Sequence, residues 1–195
     1  NVNLDEQKLA FYDTPEYCLN DFIPERKADM TLLICENKDI WFNVRRLMFE
    51  EEKRDFFGVA MDGVVLGSGN RVCEKKCLKT YTSFLKAKNV NYLYWGDIDR
   101  EGLDIFLRLK RANSELFINL FVPGYEMMLE LSKDIKIPNS KDHREHQTSY
   151  EEVYSLFEDK RADVLKENIK QNKRIPQEII SYAISNLRKK VDLTT

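Results

Sequence analysis

Four short apolar runs, separated by stretches with helical periodicity, constrain the fold of this 195-residue chain more than any other feature. The runs are MTLLIC at 30–35, DGVVLGSGN at 62–70, NYLYW at 91–95 and ELFINLFVP at 115–123. Strands that are apolar along their whole length are typical of parallel sheets covered on both faces, and short helical connections give right-handed crossovers. We therefore predict an α/β fold with a four-stranded, mainly parallel sheet flanked by helices.

The parts of the chain outside these runs have a different character. Pro15 and Pro24 interrupt the N-terminal part, which we expect to be the irregular end of an upstream domain that is missing from this chain. After residue 133 a polar loop leads to a capping box of Thr148 and Glu151 that opens one long helix, and Pro176 fits the first turn of a last helix. The predicted division is an irregular segment, an α/β domain and a helical extension packed on it, at 1–29, 30–133 and 134–195.

The charge and hydropathy of the chain exclude some classes of protein. The net charge is −2, so bulk attraction to nucleic acid is not predicted, although a local basic face is compatible with it. No apolar run reaches the roughly 20 residues that a membrane span needs, and no signal peptide is visible. We predict a cytoplasmic protein that does not enter a membrane.

The cysteine pair Cys73 and Cys77 has a spacing that is compatible with a metal site. Both residues share helical spacing with Tyr81 and Phe84 on one apolar face, and no second pair of Cys or His follows nearby to complete four zinc ligands. We therefore predict that these thiols belong to the core.

Three acidic residues stand where strands are predicted to end. Glu36 follows the first run, and Asp97 and Asp99 follow the third. Ligands of parallel α/β sheets bind beyond the carboxyl ends of the strands, and carboxylates gathered there cost free energy unless a cation neutralises them or their pKa values rise. Hard oxygen donors without Cys or His suit Mg²⁺, with Mn²⁺ as a substitute. We predict that Glu36, Asp97 and Asp99 form a magnesium site.

The DIDREG stretch is open to other interpretations. An EF-hand loop beginning at Asp97 would need a carboxylate at its twelfth position, where Arg108 stands. A haloacid-dehalogenase-type motif usually lies at the first strand and has Thr or Val where Arg100 stands here. A purely structural alternative stays open, in which Asp99 caps a helix and Glu101 lies in its first turn.

The order of these motifs resembles a known family. LLICEN with Glu36, followed by YWGDIDREG with Asp97 and Asp99, is similar to the Toprim domain of topoisomerases, primases and related nucleases. ICENKDIWFNV, VVLGSGN and YWGDIDREGLDIFLRLK together resemble more closely the carboxyl-terminal domain of the topoisomerase VI A-subunit-like JetD proteins of the Wadjet plasmid-defence system. RIPQEIISY at 174–182 is similar to a weaker terminal motif of that family.

The resemblance implies cleavage of double-stranded DNA by a Toprim (Rossmann-like) domain. It makes Asp97 and Asp99 ligands of Mg²⁺, and Glu36 a third ligand or a general acid/base. It also implies a homodimer within a larger complex with SMC-like partners. Topoisomerase-type members use a tyrosine nucleophile on an upstream domain. Cleavage here is therefore expected to use either water or a tyrosine from the missing upstream part. This fragment alone is expected to be inactive without that part.

The DNA contacts are predicted from position alone. Lys38, Arg71 and Arg100 lie at or after predicted strand ends, on the face where a phosphate would bind. Two other functions stay open: a non-catalytic interaction module of such a complex, and a Mg²⁺-dependent phosphotransferase or phosphatase on a similar sheet.

Overall fold

A five-stranded sheet lies at the centre of the molecule, in a computed structural model that describes residues 19–74, 76–141 and 149–180. The strands are β1 (Asn20–Phe22), β2 (Asp29–Cys35), β3 (Asp55–Phe56), β4 (Val59–Ala60), β5 (Gly63–Leu66), β6 (Asn89–Trp95) and β7 (Phe117–Leu120). Strands β3 and β4 form a separate two-stranded hairpin, and the other five form the central sheet. The sheet order is β1-β5-β2-β6-β7, and every pairing is parallel except that of β1 with β5. The predicted α/β class with a mainly parallel sheet is confirmed.

The two central strands β2 and β6 bring the site together. They pair in register over their whole length, from Asp29 opposite Asn89 to Cys35 opposite Trp95. Both strands therefore end at the same level, and the Glu36 amide continues the ladder with a 3.0 Å hydrogen bond to the Trp95 carbonyl. Five of the seven residues in each strand are buried because helices cover both faces, which explains the continuous apolar runs.

The helices connect the strands in the expected order. They are α1 (Lys38–Glu50), α2 (Cys77–Leu85), α3 (Arg100–Ala112), α4 (Val122–Leu131), α5 (Glu151–Tyr154) and α6 (Asp159–Lys170), with short 3-10 helices at Gly69–Cys73 and Gln177–Ile179. Helix α1 begins directly beyond β2 because the Asn37 side chain accepts hydrogen bonds from the amides of Asp39 and Ile40. No helix among the described residues is long and apolar enough to span a membrane.

The prediction of four strands was wrong by one. The extra strand, β1, lies in the part that the sequence marked as irregular, and it runs antiparallel to β5 with Asn20 opposite Leu66. Its three residues carry no alternation of apolar and polar side chains. Its conformation comes instead from backbone pairing with the edge of β5, which a local pattern cannot reveal.

The single long helix predicted from Glu151 is two helices. Helix α5 ends at Tyr154, and α6 begins at Asp159 after a turn in which Phe157 is buried in the core. The helix predicted from Pro176 is a 3-10 turn as far as Ile179, and residues 181–195 lie outside the described part of the chain. The burial of Phe157 between the two helices favours the break.

The cysteines only partly follow their prediction. Cys77 begins α2 and is 2% exposed, as expected for a core thiol. Cys73 lies in the 3-10 helix, where its half-buried thiol donates a hydrogen bond to the Ile105 carbonyl over 3.4 Å. Phe84 is 46% exposed, so the prediction that it shares a buried apolar helix face with the cysteines was wrong.

Candidate functional site

All three predicted acidic residues line one small cavity at the carboxyl edge of the sheet. The cavity has a volume of about 100 Å³, and its walls are Glu36, Asp97, Asp99, Glu101, Ser140, Lys141 and Arg174. Four of these seven side chains are carboxylates. The adjacency of β2 and β6 in the sheet produces this gathering.

Glu36 follows β2 and is held by a tyrosine of the neighbouring strand. The Tyr94 hydroxyl donates a 2.7 Å hydrogen bond to Glu36 Oε2. Burial raises the pKa of the Glu36 carboxyl from 4.5 to about 7; the hydrogen bond from Tyr94 opposes this rise, and the negative charges of Asp97 and Asp99 add to it. A carboxyl with such a pKa can exchange a proton near neutral pH.

Asp97 lies two residues beyond β6 and is the most strongly held of the three. Its Oδ1 accepts a 2.7 Å hydrogen bond from the Gln177 amide. Its Oδ2 accepts from Arg174 Nε at 2.7 Å, and Arg174 Nη2 lies 2.5 Å away. Burial raises the pKa of Asp97, while the Gln177 amide and the Arg174 guanidinium oppose that rise.

Asp99 caps helix α3. Its Oδ1 accepts a 2.8 Å hydrogen bond from the Gly102 amide, which is the N-cap arrangement of the structural alternative. Its Oδ2 lies 3.9 Å from Arg174 Nε, on the cavity side. Capping by one oxygen and a position in the cavity wall are therefore compatible in the same side chain.

Two glycines allow the close packing around the loop after β6. A Cβ atom on Gly96 would lie 2.4 Å from Glu36 Oε2 and 2.6 Å from the Tyr94 hydroxyl oxygen. A Cβ atom on Gly102 would lie 2.4 Å from the Asp97 carbonyl oxygen. Any side chain at either position would displace a carboxylate or the backbone that carries it.

A segment at 174–178, which we call the Arg174 segment, forms the third wall of the site. Ile175 exchanges two backbone hydrogen bonds with Ile98, of 2.9 and 3.1 Å. The Gln177 side chain accepts a 3.0 Å hydrogen bond from the Asn37 amide. The segment therefore contacts the loops after both central strands. Its sequence is the start of the weak motif RIPQEIISY, and the sequence alone predicts no role for Arg174 or Gln177.

The three predicted DNA-contact residues occupy different environments. Lys38 is exposed at the start of α1, and Arg71 is exposed in the 3-10 helix after β5. Arg100 is half-buried: its Nε and Nη2 donate to the carbonyls of Ile169 and Lys170, over 3.2 and 3.4 Å. Arg100 thus connects α3 to the end of α6. Contact of these residues with DNA stays a prediction.

The donor chemistry of the cavity fits Mg²⁺, because its acidic ligands are all carboxylate oxygens. Among the residues that the structure describes, no three His, Cys, Asp or Glu side chains converge as a metal-binding group. Each of the three carboxylates accepts hydrogen bonds from the protein: Glu36 from Tyr94, Asp99 from the Gly102 amide, and Asp97 from the Gln177 amide and Arg174. A divalent cation would have to compete with these donors.

The fold and the cavity define an α/β protein with an acidic site at the carboxyl edge of a mainly parallel sheet. The family model described as Wadjet protein JetD, C-terminal, matches residues 26–187, and the chain belongs to this family. The predicted membership of the JetD family is thereby confirmed. A comparison with curated proteins finds no significant match.

Proposed function

We propose that this chain is the DNA-cleaving domain of a Wadjet defence protein, a Mg²⁺-dependent phosphodiesterase of the Toprim type. One observation carries the proposal: Glu36, Asp97 and Asp99, from the ends of two adjacent strands, line a single cavity. Four carboxylates line this cavity against two basic side chains, so a further cation would offset their remaining repulsion, and the cavity lies where parallel sheets bind ligands. The family match supports the defence context.

Each residue has a defined task in this proposal. Asp97 and Asp99 hold the cation, which when bound neutralises a phosphate oxygen and stabilises the charge that develops during cleavage. Glu36 either completes the ligand set or holds a proton at Oε2, where Tyr94 orients the carboxyl. Lys38 and Arg71, both exposed, bind neighbouring phosphates of double-stranded DNA.

The nucleophile in this proposal is water, or a tyrosine of another domain. Two tyrosine hydroxyls contact the site: Tyr94 donates a hydrogen bond to Glu36, and Tyr125 accepts one from the Gly96 amide. Both are 0% exposed, and burial raises the pKa of each hydroxyl well above its usual value. Neither can reach a phosphate. The activity accordingly requires the complete protein, as a homodimer in its complex with SMC-like partners.

The test is cleavage of supercoiled plasmid by the full-length protein assembled with its partners and supplied with Mg²⁺. Glu36→Gln and Asp97→Asn should each lower nicking and linearisation by about 100-fold or more, a loss typical of essential groups. Glu126→Gln, which removes a surface carboxylate paired with Arg161, should cut at the wild-type rate. Cleavage by folded Glu36→Gln and Asp97→Asn proteins at the wild-type rate would refute the proposal.

A non-catalytic interaction module is the second candidate, and one observation favours it. The carboxylate of Asp97 is already neutralised by Arg174 and the Gln177 amide, as in a structural ion pair. In this case Asp97→Asn would disrupt assembly of the complex, measured by co-purification of the partners. Intact assembly without cleavage identifies the catalytic role instead.

A further inference from the structure

We infer that Arg174 is a positioning residue that holds Asp97 and competes with the divalent cation for that carboxylate. The inference rests on the metal site of the proposed function. It identifies a residue that the sequence interpretation did not assign. The contact that carries it is two-pronged: Arg174 Nε and Nη2 lie 2.7 and 2.5 Å from Asp97 Oδ2.

The hydrogen bonds around Asp97 explain why the competition is direct. The guanidinium lies directly against Oδ2, with Nε and Nη2 at 2.7 and 2.5 Å, so a cation that approached this oxygen would meet a positive charge at close range. Oδ1 accepts from the Gln177 amide over 2.7 Å. A cation that binds Oδ2 must therefore displace the Arg174 guanidinium, whereas Gln177 can stay in place because its bond goes to the other oxygen.

The charges in the cavity explain why an arginine lies there at all. Four carboxylates line the cavity, those of Glu36, Asp97, Asp99 and Glu101, together with the cations Arg174 and Lys141. Arg174 Nε also lies 3.9 Å from Asp99 Oδ2, so one guanidinium faces both aspartates of the DID stretch. It offsets the repulsion that these carboxylates would otherwise exert on each other.

The backbone of the Arg174 segment is fixed, but the Arg174 side chain is exposed enough to move away from Asp97. Ile175 pairs with Ile98 through two hydrogen bonds, so the main chain stays beside the aspartates. The Arg174 side chain is 38% exposed, whereas those of Asp97 and Asp99 are 10% and 7% exposed. The exchange thus needs only rotation of a long side chain toward solvent.

The displaced guanidinium would remain at the mouth of the cavity, where a phosphodiester could bind it. Arginine binds phosphate oxygens through charge-assisted hydrogen bonds. A phosphate that takes the guanidinium away from Asp97 frees Oδ2 for the cation. Because binding free energies are linked, the cation and the phosphate should each raise the affinity for the other. Arg174 is the side chain that transmits this coupling.

The test is binding of Mn²⁺ to the full-length protein, measured by isothermal titration calorimetry without and with a short DNA duplex. Removing the competitor in Arg174→Gln should tighten Mn²⁺ binding without DNA by about 5–150-fold, the range of typical coupling energies. The duplex should tighten Mn²⁺ binding to the wild type by a larger factor than it tightens binding to Arg174→Gln, in which only the direct contact between cation and phosphate remains. Arg161→Gln, the same change at a surface pair with Glu126, should match the wild type.

Arg174→Lys keeps the charge with a single point of contact, so its Mn²⁺ affinity should lie between those of wild type and Arg174→Gln. If Arg174→Gln does not fold, the comparison of Arg174→Lys with the wild type tests the inference. A purely structural role predicts equal or weaker Mn²⁺ binding in both folded variants, and that result would overturn the inference. If the Arg174 variants bind Mn²⁺ more tightly but the wild type does not cleave DNA, the inference about Arg174 holds and the proposed nuclease activity is refuted. If the wild type cleaves DNA but the Arg174 variants bind Mn²⁺ with unchanged affinity, only the inference about Arg174 is refuted.

Discussion

Glu36 shows at the residue scale how a sheet edge changes the chemistry of a carboxyl group. Its pKa is raised from 4.5 to about 7, chiefly by burial. In the unfolded chain the same group titrates near its ordinary value, so between these pH values the folded protein binds more protons. The contribution of Glu36 to stability is therefore fully present below pH 4.5 and is lost as the pH rises through about 7.

Replacing Glu36 by glutamine should remove this pH dependence. At about pH 8, with chelator present, Glu36→Gln should raise the free energy of unfolding by about 1–3 kcal/mol, because the neutral amide avoids a buried charge. The difference should shrink toward acid pH, as followed by urea unfolding. Glu158→Gln, an exposed carboxylate whose side chain is 85% accessible, serves as the control. A variant less stable than the wild type at alkaline pH would assign Glu36 a structural ion pair instead.

Gly102 makes a second prediction at the residue scale. Alanine favours a helix over glycine by about 1 kcal/mol, so Gly102→Ala would be stabilising if propensity decided the outcome. The new Cβ atom would lie 2.4 Å from the Asp97 carbonyl oxygen, and backbone cannot yield as a flexible side chain can. We expect a net loss of about 1–3 kcal/mol in urea unfolding. An alanine variant as stable as the wild type would contradict this close approach.

At the scale of elements, helix α3 links the site to the C-terminal helices. Its first residue, Arg100, donates to carbonyls at the end of α6, and the Tyr150 hydroxyl donates to Asp104 on the next turn over 3.0 Å. The loop that carries the aspartates is therefore anchored from both sides, by β6 and by these helices. This position gives Arg100 a structural role that Arg71, exposed in its 3-10 helix, does not share.

The two arginines should consequently respond differently to the same change. Arg100→Gln should lower the free energy of unfolding by about 1–2 kcal/mol, since it removes hydrogen bonds from a charged donor. Arg71→Gln should leave stability within about 0.5 kcal/mol but weaken DNA binding and reduce its salt dependence by about one phosphate contact. Urea unfolding and fluorescence anisotropy at several salt concentrations measure both. A large stability loss in Arg71→Gln would reverse the assignment.

At the scale of the whole molecule, the site combines three distant parts of the chain. Asn37 follows β2, Asp97 follows β6, and the Arg174 segment returns to contact both. The hydrogen bond from Arg174 to Asp97 spans 77 positions in the sequence. A ligand that binds there should therefore stabilise the complete fold and not one local element.

This connection predicts a thermal response to metal. Mn²⁺ at about 100 times its dissociation constant should stabilise the wild type by about 2.7 kcal/mol and raise its melting temperature accordingly. Asp97→Asn/Asp99→Asn should show no such shift. The double variant also loses the Arg174 ion pair and the cap of α3, so only its response to Mn²⁺ is compared, not its basal stability. An equal shift in both proteins would place the metal elsewhere.

Much of the fold could be predicted from local patterns. The runs at 30–35 and 91–95 are apolar because both faces of β2 and β6 are covered, and a local sequence pattern is therefore enough to predict these strands. The three-residue edge strand β1 and the break between α5 and α6 carry no comparable pattern. Pairing with β5 and burial of Phe157 favour these conformations, and both depend on contacts with distant residues.

The site divides in the same way. The sequence by itself determined that Glu36, Asp97 and Asp99 follow strand ends, since strand and acid are adjacent in the chain, and its motifs indicated the family that residues 26–187 match. Only the tertiary structure decided that Arg174 neutralises Asp97 and that Tyr94 holds Glu36. Charge pairing depends on distance in space, and an arginine 77 positions away has no local signal that predicts its partner.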